Sequence, residues 1–241
     1  MYQIRISAKR DYGVYLDRIS EIIGEEIKAL SGVFALGEGD KRESLCVAVC
    51  SENKSLVKKL IADSISSVFV SEFKRAYFSS VLNFSSCDRI SYQMLINTLT
   101  VFNSSAERFY AKKRCRLTSE FNLDGFYDFT LRDLRSQWTE SAATISSNSE
   151  VLRDEECFNV MLKFLLSGID ARIKVVYLDQ GERCYYIKSE GDVVDTKCQT
   201  DAQLLVRLAE LAPEKIIVAK RLTNEKLMKK IGEIFCLKVK K

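Results

Sequence analysis

Between Asn122 and Ile145 the apolar residues keep a spacing that only a helix satisfies, and no other stretch constrains the fold as much. Phe126, Thr130, Leu131, Leu134, Trp138, Ala142 and Ile145 recur three and four residues apart as one stripe, with Arg132, Asp133, Arg135, Gln137 and Glu140 facing away. Asn122 supplies the N-cap, because its side-chain oxygen can accept from the unpaired amides of the first turn. Asp124 and Asp128 place negative charge at the positive end of the helix dipole. The stripe is read as core, with Trp138 on its inner face.

Periodicity then divides the chain into three regions. In residues 1–53, Tyr2, Ile4 and Ile6 alternate with Gln3, Arg5 and Ser7 as a half-buried strand, and Ile19, Ile22, Ile23, Ile27 and Leu30 mark an amphipathic helix. Val33–Leu36 and Leu45–Cys50 are two further strands joined by the polar turn Gly37–Arg42, giving a small β-α-β-β unit. In the third strand Cys46, Ala48 and Cys50 alternate with Leu45, Val47 and Val49, so the strand is expected to be covered on both faces with its cysteines buried.

Residues 54–169 read as four helices. The first carries Leu56, Leu60, Ile61, Ile65, Val68, Phe69, Phe73 and Tyr77 and runs to about Phe78 without Gly or Pro. After a polar break at Asn83–Asp88, the second carries Ile90, Met94, Leu95, Leu99, Phe102 and Phe109 and ends near the basic run Lys112–Arg116. The third opens at Asn122. The fourth, past the polar stretch Ser146–Glu150, carries Phe158, Met161, Leu162 and Leu165 and stops at Gly168. Residues 170–241 return to β patterning. A hairpin from Ile173 to Ile187 turns at Asp179–Glu182, followed by a helix to Leu211 ended by Pro213, a strand at Ile216–Ala219, a helix at Glu225–Phe235 and a last strand at Leu237–Val239. The fold class is α+β, and the pattern leaves open whether 170–241 forms one continuous domain with 1–53.

A chain of 241 residues with 46% hydrophobic residues can bury a sizeable core. Its net charge of +4, from 37 basic and 33 acidic residues, demands no polyanionic partner, so a basic site has to be a local cluster. No apolar run approaches the roughly 20 residues of a membrane span. The start, Met1–Ser7, reads as a strand rather than a signal peptide, so a soluble cytoplasmic protein is expected. Eight cysteines in a chain with long helices and no export signal fit reduced thiols. Metal ligands are not expected either, since histidine is absent and no Cys-x-x-Cys occurs.

Four segments together resemble the YtxC-like family of sporulation proteins from spore-forming Firmicutes. They are Leu123–Leu134, Phe158–Leu165, the hairpin from Ile173, and Leu208–Ile217, in that order over about a hundred residues. Thr130 stands where members usually have arginine, Leu134 where they usually have an aromatic residue, and Cys236 is alone where many have paired cysteines. The resemblance implies a bacterial source and a link to sporulation. It implies no reaction, and it supplies no catalytic residue.

Enzyme templates fail one after another. Without histidine there is no Ser-His-Asp or Cys-His relay, and the 10 glycines form neither a dinucleotide nor a P-loop pattern. Asp154, Glu155 and Glu156 are adjacent, so they do not share a helix face and read as a solvated first turn. The one cluster suited to binding is Arg108, Lys112, Lys113, Arg114 and Arg116, with Tyr110 among them, a mixture that contacts phosphates and stacks bases. A helix end favoured by its dipole explains the same cations, and no helix-turn-helix pattern accompanies them. The reading is a sporulation-associated protein without enzymatic activity or cofactor, acting through protein contacts. A nucleic-acid-binding accessory role is the alternative, and an enzyme of unrecognised type comes third.

Overall fold

The computed structural model describes residues 1–82, 88–148, 150, 153–169, 173–189, 196–219, 222–235 and 237–239. The element order begins β1 (Tyr2–Lys9), α1 (Gly13–Ala29), β2 (Val33–Glu38), β3 (Arg42–Val49), α2 (Lys54–Val68) and α3 (Lys74–Val81). It continues α4 (Arg89–Val101), α5 (Ser104–Arg114), β4 (Glu120–Asn122), a single turn α6 (Leu123–Gly125), α7 (Arg132–Ser147) and α8 (Glu155–Ser167). The last part is β5 (Ile173–Gln180), β6 (Tyr185–Ser189), β7 (Thr196–Cys198), α9 (Asp201–Leu211), β8 (Pro213–Val218), α10 (Glu225–Ile234) and β9 (Leu237–Val239). The fold is α+β, and the chain divides into two compact units, Met1–Ala76 with Ser104–Ser141, and Tyr77–Asn103 with Ala142–Lys241. The strands belong to two separate sheets, so the C-terminal strands do not extend the N-terminal sheet. The helical stretch 54–169 is shared between the units instead of standing as a domain of its own.

The first unit holds the sheet β2-β3-β1-β4. β1 and β3 are antiparallel over eight residue pairs, while β4 runs parallel to β1 from Arg5↔Glu120 to Ser7↔Asn122. Ile4, Ile6 and Ala8 of β1 and Leu45, Val47 and Val49 of β3 are buried, as are Leu16, Ile19, Ile23 and Ile27 of α1. Cys46 and Cys50 are exposed, which corrects the expectation of a strand covered on both faces. The helices cover one face of this sheet, and the small Cys46 and Ala48 side chains lie on the other, where alternation sends them.

α2 continues into α3 through a π-helical segment at Phe69–Phe73, so the first helix runs to Val81. Its inward residues are Val57, Ile61, Ile65 and Val68, whereas Leu56 is exposed. The organising helix also contains a π segment, Phe126–Thr130, before α7. Phe126, Leu131, Leu134, Trp138 and Ala142 are buried as the stripe requires, but Thr130 is exposed because the extra residue of the π segment gives its place to Leu131. Rings from the two π segments pack together, with Phe69 stacked on Tyr127 at 5.8 Å and 5.4 Å from Phe126.

In the second unit the sheet order is β7-β6-β5-β8-β9, with β5, β8 and β9 parallel and β6 and β7 antiparallel to their neighbours. The helix expected from Ile90 to Phe109 is two helices. Asn103 breaks it by adopting φ 56°, a left-handed conformation that asparagine tolerates. α4 packs on α9, and the Asn97 carboxamide donates to the Val206 carbonyl at 3.3 Å. The polar break at 83–87, and Cys236, lie outside the described residues.

Candidate functional site

The segment that opens the organising helix is fastened to the sheet before it reaches the surface. Asn122 caps α6 by accepting from the Gly125 amide at 2.8 Å. Asp124, 4% exposed, accepts from Arg42 Nη2 at 2.7 Å and from the Lys9 amide at 3.1 Å. Burial raises its pKa, but the hydrogen bonds from Arg42 and the Lys9 amide outweigh burial and hold the carboxyl below its ordinary value. Asp128 pairs with Arg135 at 3.2 Å, and the Arg135 guanidinium lies 4.8 Å over the Tyr127 ring. Leu123, Phe126, Tyr127 and Leu131 are buried. Phe129, by contrast, is 81% exposed.

Phe129 stands in an open depression of about 770 Å³ lined also by Lys113, Arg114, Arg116, Glu120, Asn122 and Thr130. α5 delivers Lys113 and Arg114 from its last turn, the loop to β4 delivers Arg116, and the π segment delivers Phe129. Three of the five cations predicted from sequence therefore converge. The other two do not line it: Lys112 pairs with Asp63 of α2, and Arg108 is exposed further up α5. Among the described residues, Lys113, Arg114 and Arg116 have no carboxylate partner within ion-pair distance, and Glu120 is the one acidic residue in the lining. Tyr110 is occupied: the Arg114 guanidinium sits 3.6 Å over its ring, and its hydroxyl donates to Asp133 at 2.7 Å. The 70%-exposed Phe109 shares a helix face with Lys113, four residues on.

The same unit holds a buried polar group that sequence patterning missed. Lys74 Nζ is 2.8 Å from Glu107 Oε2, and Trp138 Nε1 donates to Glu107 Oε1 at 2.9 Å. The two charged side chains are 2% and 8% exposed. Trp138 is thus core, as its stripe requires, with its indole N–H satisfied.

Elsewhere, the acidic run has structural partners. Asp154 caps α8 by accepting from the Cys157 amide at 2.7 Å, and Glu155 pairs with Lys230 at 2.7 Å. Among the described residues no group of three or more Cys, Asp or Glu is arranged to hold a metal ion, and the six described cysteines are free. Burial pushes the Cys115 thiol up to about 12, so it stays protonated and unreactive near neutral pH. Also among the described residues, no helix is long and apolar enough to cross a membrane.

Chemically, the depression can do one thing well. Arg114 and Arg116 present guanidinium forks suited to carboxylates or phosphates, Lys113 adds a point charge, and Phe129 adds a rigid apolar face. The chain matches no protein-family profile, no curated protein and no solved structure.

Proposed function

We propose that the chain is a sporulation-associated cytoplasmic protein without enzymatic activity, akin to the YtxC-like family, that works by docking an acidic protein segment in this depression. The observation that carries the reading is Phe129, an aromatic 81% exposed among Lys113, Arg114 and Arg116. Burying such a ring against a partner contributes about 1.5–3 kcal/mol to association. Aromatic and arginine side chains are the types enriched where protein partners dock. Tyr110 already has a face covered by Arg114 and its hydroxyl held by Asp133, so Phe129 is the exposed ring the depression offers.

Fluorescence anisotropy separates peptide from nucleic-acid binding. A labelled Glu- and Asp-rich peptide containing one Leu should bind the native chain. Affinity should drop at least about tenfold in Phe129→Ala, a loss of about 1.4 kcal/mol, and vanish in Lys113→Glu/Arg114→Glu/Arg116→Glu. Labelled oligonucleotides should not bind at about 150 mM salt, where exposed charges are screened within about 8 Å. Micromolar oligonucleotide affinity, with log K falling by about 2.7 per decade of salt for three phosphate contacts, would replace this reading with nucleic-acid binding.

A further inference from the structure

We infer that β2 is a dimerisation edge that pairs antiparallel with β2 of a second copy of this chain. In the sheet β2-β3-β1-β4 it has a partner on one side only. Of the four edge strands among the described residues it is the longest. It has six residues, whereas β4, β7 and β9 have three each. Soluble proteins blunt such edges with lysine, proline, a bulge or a covering segment. Here, Val33-Phe-Ala-Leu-Gly37 has no charge and no proline, and its register with β3 runs unbroken from Val33↔Ala48 to Glu38↔Glu43, without a bulge. Val33 is 68% and Leu36 48% exposed, while the half-buried Phe34 ring reaches back to Gly24 of α1.

The hydrogen-bond phase shows what the edge offers. The Gly39 amide donates to the Arg42 carbonyl at 3.0 Å, which makes this a hydrogen-bonded pair. By the two-residue alternation of an antiparallel ladder, Gly37, Ala35 and Val33 then point their backbone groups at β3. Phe34, Leu36 and Glu38 point theirs at the free edge. A two-fold axis perpendicular to the sheet at Ala35 sets Phe34 opposite Leu36 of the second copy, and Leu36 opposite its Phe34. Both are hydrogen-bonded pairs, and both are apolar. Val33 falls opposite Gly37 and Ala35 opposite Ala35, with no like charges facing. Moving the axis to Leu36 would set Phe34 opposite Glu38. The strand is thus self-complementary over Val33–Gly37, which is the property an isologous interface needs. The pairing is independent of the basic depression.

Sedimentation of the full chain over about 1–500 µM tests this, because edge pairing alone buries less than the roughly 1,200–2,000 Å² of a standard interface and should associate in that range. The 27.5 kDa chain should double its mass as concentration rises. Leu36→Lys, and Leu36→Pro, which removes an outward N–H without touching the β3 ladder, should stay monomeric with unchanged circular dichroism. In a Cys46→Ala background, needed because Cys46 faces Ala35 across β3, Ala35→Cys should form an intermolecular disulfide on mild oxidation. Its two Cα atoms would lie about 4.5 Å apart in a non-hydrogen-bonded pair, within bonding range. A folded monomer at every concentration would overturn the inference and leave the edge to a strand of another protein. A dimer indifferent to both Leu36 variants would overturn it in favour of a different interface.

Discussion

Replacing Glu107 by Gln keeps an oxygen for the Trp138 indole and removes only the charge facing Lys74. Lys74 and Glu107 are 2% and 8% exposed and 2.8 Å apart, so the ammonium would be left buried beside a neutral amide. Breaking one side of a buried pair costs about 3–5 kcal/mol, because the remaining charge keeps its desolvation penalty and loses its opposite charge. That is a large share of the roughly 5–15 kcal/mol that holds a domain together. For a chain of this size each kcal/mol moves the thermal midpoint by about 2–4 °C, so Glu107→Gln should melt about 6–20 °C lower by circular dichroism. Lys74→Met should fall by a similar amount, since it strands Glu107 instead. The double variant Lys74→Met/Glu107→Gln should be more stable than either single one, because it removes both charges from the interior. A Glu107→Gln midpoint within about 2 °C of the native chain would mean the pair is hydrated, and the desolvation argument would fail.

Three further outcomes follow from the same geometry. Because the folded Asp124 carboxyl lies below its ordinary value, the stability it confers is complete above the unfolded pKa of about 3.9 and is lost as pH falls from there through the folded value. Denaturant titrations of Asp124→Asn should therefore show a midpoint lower than the native chain's at neutral pH, by the about 1.5–3 kcal/mol of its charged hydrogen bonds, with the gap closing in acid. An equal gap at pH values above and below that window would show that Asp124 does not titrate with folding. With iodoacetamide near neutral pH, peptide mapping should find exposed Cys46 alkylated well before Cys115, and the reverse order would contradict the burial of Cys115. Trp138→Ala, which also discards the hydrogen bond to Glu107, should cost at least about 3–5 kcal/mol and leave the chain marginal, whereas an unchanged midpoint would put the stripe in solvent.

What the sequence revealed is what periodicity encodes. The stripe from Phe126 through Leu134, Trp138 and Ala142 is buried, Asn122 is its cap, and the alternation of Tyr2–Ser7 is β1, because each depends on residues close in the chain. β4 was not legible: three residues, Glu120–Asn122, carry no period, and they become a strand only through β1 more than a hundred positions away. The π segments escaped for a related reason. An extra residue shifts the stripe from Thr130 to Leu131 without leaving a composition signal. Cys46 misled because a small, moderately apolar side chain suits both a buried and an exposed strand face. Lys74 and Glu107 look like ordinary surface charges, and only tertiary packing pairs them. Of the basic run, three cations reach one depression, because a helix end, a loop and a π segment meet there. Phe129 did leave a trace in the sequence, an aromatic lying off the apolar stripe.

The docking reading is tested most directly at that residue. A photo-activatable amino acid in place of Phe129, in a spore-forming host carried through sporulation, should yield one discrete protein adduct whose cross-linked peptide is rich in Asp and Glu. The adduct should disappear when Lys113, Arg114 and Arg116 are reversed to Glu, and it should be absent when the same photo-probe replaces the exposed Phe164 of α8. No adduct at position 129 beyond that seen at position 164, or an adduct consisting of nucleic acid, would contradict a protein-docking role for the depression.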